Sequence, residues 1–91
     1  MKWRVQYTRT FLKELSRLPG DIRAQVEAIA FGEGMRDDPY LAGKAQKLSG
    51  FQTFYKIRID DYRIGIQIDT DERLVEFQRV LHRREIYRKF P

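Results

Sequence analysis

The sequence predicts an α+β domain, in the order β-α-α-β-β-β, with a helical hairpin packed on one face of a largely antiparallel sheet. Three observations carry this reading. Apolar and polar residues alternate with a period of two near the start and again from residue 54 onward, the pattern of half-buried strands. Between them, over residues 11–30, apolar residues recur at helical spacing. Strands and helices also fall in separate blocks, which puts the helices on one side of a sheet. The 91 residues make one domain, spanning 1–91, with room for a single modest core.

Each element has its own signature. Over residues 2–7, Trp3, Val5 and Tyr7 share one face, while Lys2, Arg4 and Gln6 share the other, giving a first strand. Thr8 or Thr10 offers an N-cap to a helix whose stripe is Phe11, Leu12, Leu15 and Leu18. Pro19-Gly20 ends that helix and Asp21 caps a second one, with Ile22, Val26, Ile29 and Ala30 inward and an Arg23/Glu27 pair outside. Gly32 and Gly34 weaken its end, and Asp38-Pro39 closes the region. Residues 36–51 follow no period and read as a loop, with a short extended stretch at residues 46–48. Alternation then returns. Tyr55, Ile57 and Ile59 face one way, and Phe54, Lys56, Arg58 and Asp60 the other, before a tight Asp60-Asp61 turn. The next strand turns Tyr62, Ile64, Ile66 and Ile68 inward and Arg63, Gly65 and Gln67 outward. After the turn at residues 69–72, a last strand over residues 74–83 loses phase between Phe77 and Val80, and a β-bulge near Gln78-Arg79 would restore it. Residues 85–90 form a short helical or irregular tail. The sheet face away from the helices is expected to be open to solvent.

Composition excludes several function classes. There is no cysteine, so disulfides, thiolate metal sites and cysteine nucleophiles are out. The longest apolar run, Ala28-Ile29-Ala30-Phe31, is far short of the ~20 residues that cross a bilayer. No apolar h-region follows the charged start, which predicts no signal peptide and, with the missing cysteines, a cytoplasmic protein. Eighteen Lys and Arg against thirteen Asp and Glu leave a net charge of +5, suited to a polyanionic partner. Arg79, Arg83, Arg84, Arg88 and Lys89 concentrate that charge near the end of the chain.

The alternation also has a chemical consequence. Lys56 and Arg58 are two residues apart, so they point to one face, and Arg63 opens the opposing strand on that same face. Three close cations repel, so stability does not favour the arrangement. A polyoxygenated anion would relieve it, with arginine offering a bidentate fork to phosphate. Long basic side chains reaching into solvent would leave the same pattern. His82 is the one histidine, so no histidine acid/base pair exists. Asp60/Asp61 and Asp69/Asp71 lie in turns and serve turn formation, not metal binding. No phosphate-cradling glycine motif, nucleophile elbow or His-rich metal motif is present, and neither metal nor cofactor is expected.

The spaced segments Lys47-Leu48-Ser49-Gly50, Tyr55-Lys56-Ile57-Arg58-Ile59-Asp60-Asp61-Tyr62-Arg63-Ile64 and Val80-Leu81-His82-Arg83-Arg84-Glu85-Ile86-Tyr87 resemble the RelE/ParE toxin superfamily of type II toxin–antitoxin systems, specifically its RelE branch. The resemblance covers nearly the whole chain and includes the order of elements. It implies a RelE-like fold and a toxin that cleaves messenger RNA in the ribosomal A site without metal, held inactive by a cognate acidic, RelB-like antitoxin. Carried over residue by residue, it makes Lys56, Arg58, Arg63, Arg83 and Tyr87 the catalytic set; beside that set, Lys47, Arg84, Arg88 and, as a secondary position where members vary, His82 are expected to bind RNA. Leu81 stands where members commonly carry glycine. The implied chemistry is attack of a ribose 2′-oxygen on the adjacent phosphate. Lys56 would act as base, Arg58 and Arg63 would hold the phosphate, Arg83 would support the leaving group, and Tyr87 would stack on a base or orient the hydroxyl. Two other readings use the same scaffold: a ParE-like inhibitor of DNA gyrase, and a non-catalytic RNA- or ribosome-binding module.

Overall fold

The structure, a computed structural model, describes residues 2–91. Strand β1 (Arg4–Tyr7) leads into α1 (Arg9–Ser16) and α2 (Gly20–Ala30). A one-turn helix α3 (Gly34–Asp37) and a short 3₁₀ turn (Leu41–Gly43) precede β2 (Ala45–Lys47). Strands β3 (Phe54–Ile59), β4 (Tyr62–Asp69) and β5 (Leu74–His82) form a meander, and α4 (Arg83–Lys89) ends the fold. The sheet has five strands in the order β1-β5-β4-β3-β2, antiparallel except where β1 joins β5.

The α+β class and the helical hairpin agree with the expectation from sequence. Phe11 and Leu15 of α1, with Ile22 and Val26 of α2, are buried against Ile57, Ile64, Ile66, Ile68, Val75 and Phe77 of the sheet. Phe11 and Phe77 pack with ring centroids 5.3 Å apart. Fully burying such a side chain stabilises by about 1.5–3 kcal/mol, so this layer holds the hairpin down.

The expected bulge is present. Gly65 pairs with Arg79 and Ile66 with Phe77, leaving Gln78 as the extra residue. Strand β1 pairs only with Leu74–Phe77, so from Gln78 onward β5 has a free edge, which α1 covers with side chains. The hydroxyl of Thr8, the N-cap of α1, donates to the Gln78 carbonyl at 2.9 Å, and Glu14 Oε1 accepts the Val80 N–H at 3.0 Å. Thr8 Oγ1 also accepts the Phe11 N–H, a cap for α1.

Four expectations need correction. Asp21 does not cap α2: the N-cap is Pro19, with no side-chain cap, and Asp21 sits within the first turn, where the helix dipole still favours its charge. The region read as a loop, residues 36–51, holds the end of α3, the 3₁₀ turn and a true strand, β2, which pairs with β3 over Ala45–Lys47 rather than over residues 46–48. Three residues are too few for periodicity to reveal a strand that its neighbour's ladder creates. The last strand ends at His82, and Arg83 already belongs to α4. Finally, the second sheet face is not wholly open. Helix α4 crosses it, burying Ile86 and Phe90. Gly65 explains how: a β-carbon there would lie 2.7 Å from Phe90 Cδ1, so the missing side chain is the seat of the ring. Phe54 closes over Phe90 edge-on, centroids 5.6 Å apart.

Candidate functional site

On that second face the registers line up one row of side chains. Gln46 of β2 lies opposite Lys56 of β3, and Lys56 opposite Gly65; Arg58 lies directly opposite Arg63 of β4. Helix α4 supplies Tyr87 from above. Lys44, Gln46, Lys56, Arg58, Arg63 and Tyr87 together line a cavity of about 160 Å³. Lys56 Nζ donates to Tyr87 Oη at 3.0 Å and lies 4.9 Å from the centroid of the same ring. Arg63 is fixed by its own turn: one Nη donates to the carbonyls of Asp60 and Tyr62, each at 2.9 Å.

The electrostatics are one-sided. Lys44, Lys56, Arg58 and Arg63 form no ion pair among the described residues, although carboxylates pair with Lys2, Arg4, Arg23, Arg79, Arg83 and Lys89 elsewhere. Directly opposed like charges destabilise a sheet, so Arg58 and Arg63 leave an uncompensated positive site. Tyr87 responds to it. The hydrogen bond from Lys56 is the largest influence and holds its phenol below the ordinary value; burial opposes it, and the charge of Lys56 and the nearby Arg63 pull further in the lowering direction. The ring is 56% exposed, so an incoming ligand can reach it.

The nine residues expected at the site divide. Lys56, Arg58, Arg63 and Tyr87 converge on the cavity. Arg83 opens α4 beside the Asp60–Asp61 turn, where Nε lies 3.8 Å from Asp61 Oδ1, outside the cavity lining. His82 is the N-cap of α4: its Nδ1 accepts the Arg84 N–H at 3.2 Å and its ring meets Tyr62 edge-on. It lines a different groove, with Glu14, Arg17 and Glu85. Arg84 and Arg88 are exposed on α4. Lys47, paired with Tyr55, alternates to the opposite face from Gln46 and lines a depression with Phe51. Lys44 and Gln46 were missed, because their place depends on β2. Their signal in the sequence is slight: Ala45 inward, flanked by polar residues. No group of three or more His, Cys, Asp or Glu side chains among the described residues is placed to hold a metal ion. No helix among them is long and apolar enough to cross a membrane.

The sequence and the fold, a five-stranded sheet backed by a helical hairpin, are ones that known proteins share. The sequence profile of the ParE toxin of type II toxin–antitoxin systems, parDE, matches residues 5–87. Toxin RelE3 of Methanocaldococcus jannaschii is 36% identical, over 97% of this chain and 99% of its own length. Toxin RelG of Mycobacterium tuberculosis is also 36% identical, over 98% of this chain and all of its own. The toxin of the RelB–RelE antitoxin–toxin complex from Methanococcus jannaschii superposes with a TM-score of 0.74 at 36% identity, covering 94% of this chain and 99% of that one. The chain belongs to the RelE/ParE toxin superfamily of type II toxin–antitoxin systems, as a toxin of the RelE family.

Proposed function

We propose that this toxin is a ribosome-dependent endoribonuclease that cuts messenger RNA in the A site by 2′-hydroxyl attack, without metal. The observation that carries the reading is the Lys56–Tyr87 hydrogen bond inside a cavity walled by unpaired cations. In the step, the 2′-oxygen bonds to phosphorus, the bond from phosphorus to the 5′-oxygen breaks, and a 2′,3′-cyclic phosphate remains. The proton of the 2′-hydroxyl passes to the Lys56–Tyr87 pair, whose phenol is already biased towards giving up its own. Arg58 and Arg63 hold the phosphate and the charge that builds on it. Arg83, held by an exposed ion pair of little strength, turns from Asp61 to stabilise the charge on the departing 5′-oxygen, which takes its proton from solvent water. Lys47, His82, Arg84 and Arg88 serve RNA or ribosome contact from the surrounding surface. A cation cluster without a strong acid/base pair needs its substrate held in line, which the ribosome supplies.

An acidic, RelB-like antitoxin is the proposed inhibitor. A net charge of +5 and an uncompensated cavity favour it, and the M. jannaschii neighbour is an antitoxin–toxin complex. Primer extension on programmed ribosomes tests the activity: the purified toxin should cut the message within the occupied A site. Intact message together with inhibited gyrase supercoiling would replace this reading with the ParE-like one, which the matching profile's description favours. Ribosome binding with neither effect would leave the non-catalytic module.

A further inference from the structure

Tyr87 reaches Lys56 only because α4 lies in one place, and α4 is a helix of seven residues at the end of the chain. Such a helix does not hold itself. Phe90 in its glycine seat anchors the segment beyond the helix. A second anchor is polar and comes from the bulge. Arg79 Nε donates to both carboxylate oxygens of Glu14 at 3.1 Å, and Nη2 to Oε2 at 2.6 Å. The remaining Nη1 donates to the carbonyl of Lys89, the last residue of α4, at 3.1 Å. Glu14 is in turn fixed by the Val80 N–H. One guanidinium thus ties α1, the bulged edge of β5 and the end of α4 together. Both side chains are largely buried, with 24% and 13% of their surfaces exposed, so this pair is far less screened than those on the surface. Neither residue touches the cavity.

We propose that Glu14 and Arg79 are positioning residues, which clamp the end of α4 so that the Tyr87 hydroxyl stays on Lys56. The proposal rests on the ribonuclease reading only for the role of Tyr87 in cleavage; the placement of the ring is a separate matter. Arg79→Met keeps the aliphatic stem and removes every clamp bond. Glu14→Gln keeps an oxygen for the Val80 N–H and removes the charge. Arg79→Lys keeps the charge but lacks the fork that spans Glu14 and Lys89, so it restores part of what Arg79→Met loses.

The test reads Tyr87 directly. Fluorotyrosine placed at position 87 is titrated by fluorine NMR in the full-length protein, folded and in urea. In the parent the folded phenol should titrate below the unfolded one. In Arg79→Met and Glu14→Gln it should move up towards the unfolded value, with Arg79→Lys between. On programmed ribosomes, Arg79→Met should lower the single-turnover rate by roughly 10- to 100-fold, the scale of a misplaced reacting group, while ribosome affinity stays unchanged. In a Tyr87→Phe background the same substitution should cost nothing further, since Arg79 acts through that hydroxyl. A Tyr87 titration that both variants leave unmoved, measured on protein that melts cooperatively, would overturn the proposal. So would a rate loss that persists in Tyr87→Phe. If the parent cuts no message, the ribonuclease reading fails, and the titration alone still decides the clamp.

Discussion

At Tyr87 and Lys56 one contact joins chemistry and charge, and single substitutions separate the two. Tyr87→Phe keeps the ring and deletes the hydroxyl; the single-turnover rate should fall on the order of 10²–10³-fold, as when one preorganised transition-state contact is lost. A purely stacking ring would tolerate the change. Lys56→Ala should cost about as much, and Lys56→Arg should not restore the rate, because arginine keeps its proton. Full activity in Lys56→Arg would reduce Lys56 to an electrostatic clamp. The phenol also makes a prediction about stability. Its value is lowered in the folded state from 10.0. The unfolded chain therefore binds the extra proton in the alkaline window below 10.0, and the contribution of Tyr87 to stability is present above that window and lost as pH falls through the folded value. The gap between melts of the parent and of Tyr87→Phe should widen in favour of the parent as pH rises towards the ordinary tyrosine value.

The elements show which parts of the fold sequence patterns can carry. Strands β3 and β4 were legible because their alternation runs for six and eight residues, and the face assignment of Lys56, Arg58 and Arg63 followed from it. The slip between Phe77 and Val80 was enough to locate the bulge. Strand β2 was not legible, and Lys44 and Gln46 were lost with it. Helix α4 was visible as a tail, but nothing local said that Phe90 would find Gly65 twenty-five residues earlier, so the covered face went unseen. Arg79 read as one more cation of the basic C-terminal run, because its partner Glu14 lies 65 residues away. Two substitutions test the element-level account. Thr8→Ala removes the cap of α1 and its bond to the bulge, and should cost about 1–2 kcal/mol in denaturant melts. Gly65→Ala should expel Phe90, raising hydrogen exchange in α4 while β3 and β4 stay protected.

For the whole molecule, charge sets how partners arrive. With +5 on 91 residues, association with an acidic antitoxin should be fast and should slow steeply with added salt, while dissociation changes less. Stopped-flow mixing at several ionic strengths checks this, and a salt-independent on-rate would contradict it. Cleavage should survive selective removal of transition metals from ribosomes whose Mg²⁺ is maintained, because the cavity offers cations, an amide and a phenol, a set that attracts phosphate and repels a metal ion. Activity that returns only on adding zinc or manganese would refute the metal-free step.

The parallel seam between β1 and β5 dictates when such a protein can exist during its own synthesis. Arg4 has no strand partner until Leu74 is available, and the phenol of the cavity comes later still, at residue 87. Contacts this distant in sequence cannot form while residues 74–87 are still inside the exit tunnel. A translating ribosome therefore carries a nascent chain without a finished sheet until β5 has emerged, and without a closed cavity until Tyr87 has. Stalled chains lacking residues 74–91 should be digested throughout by protease, whereas released full-length chains should resist.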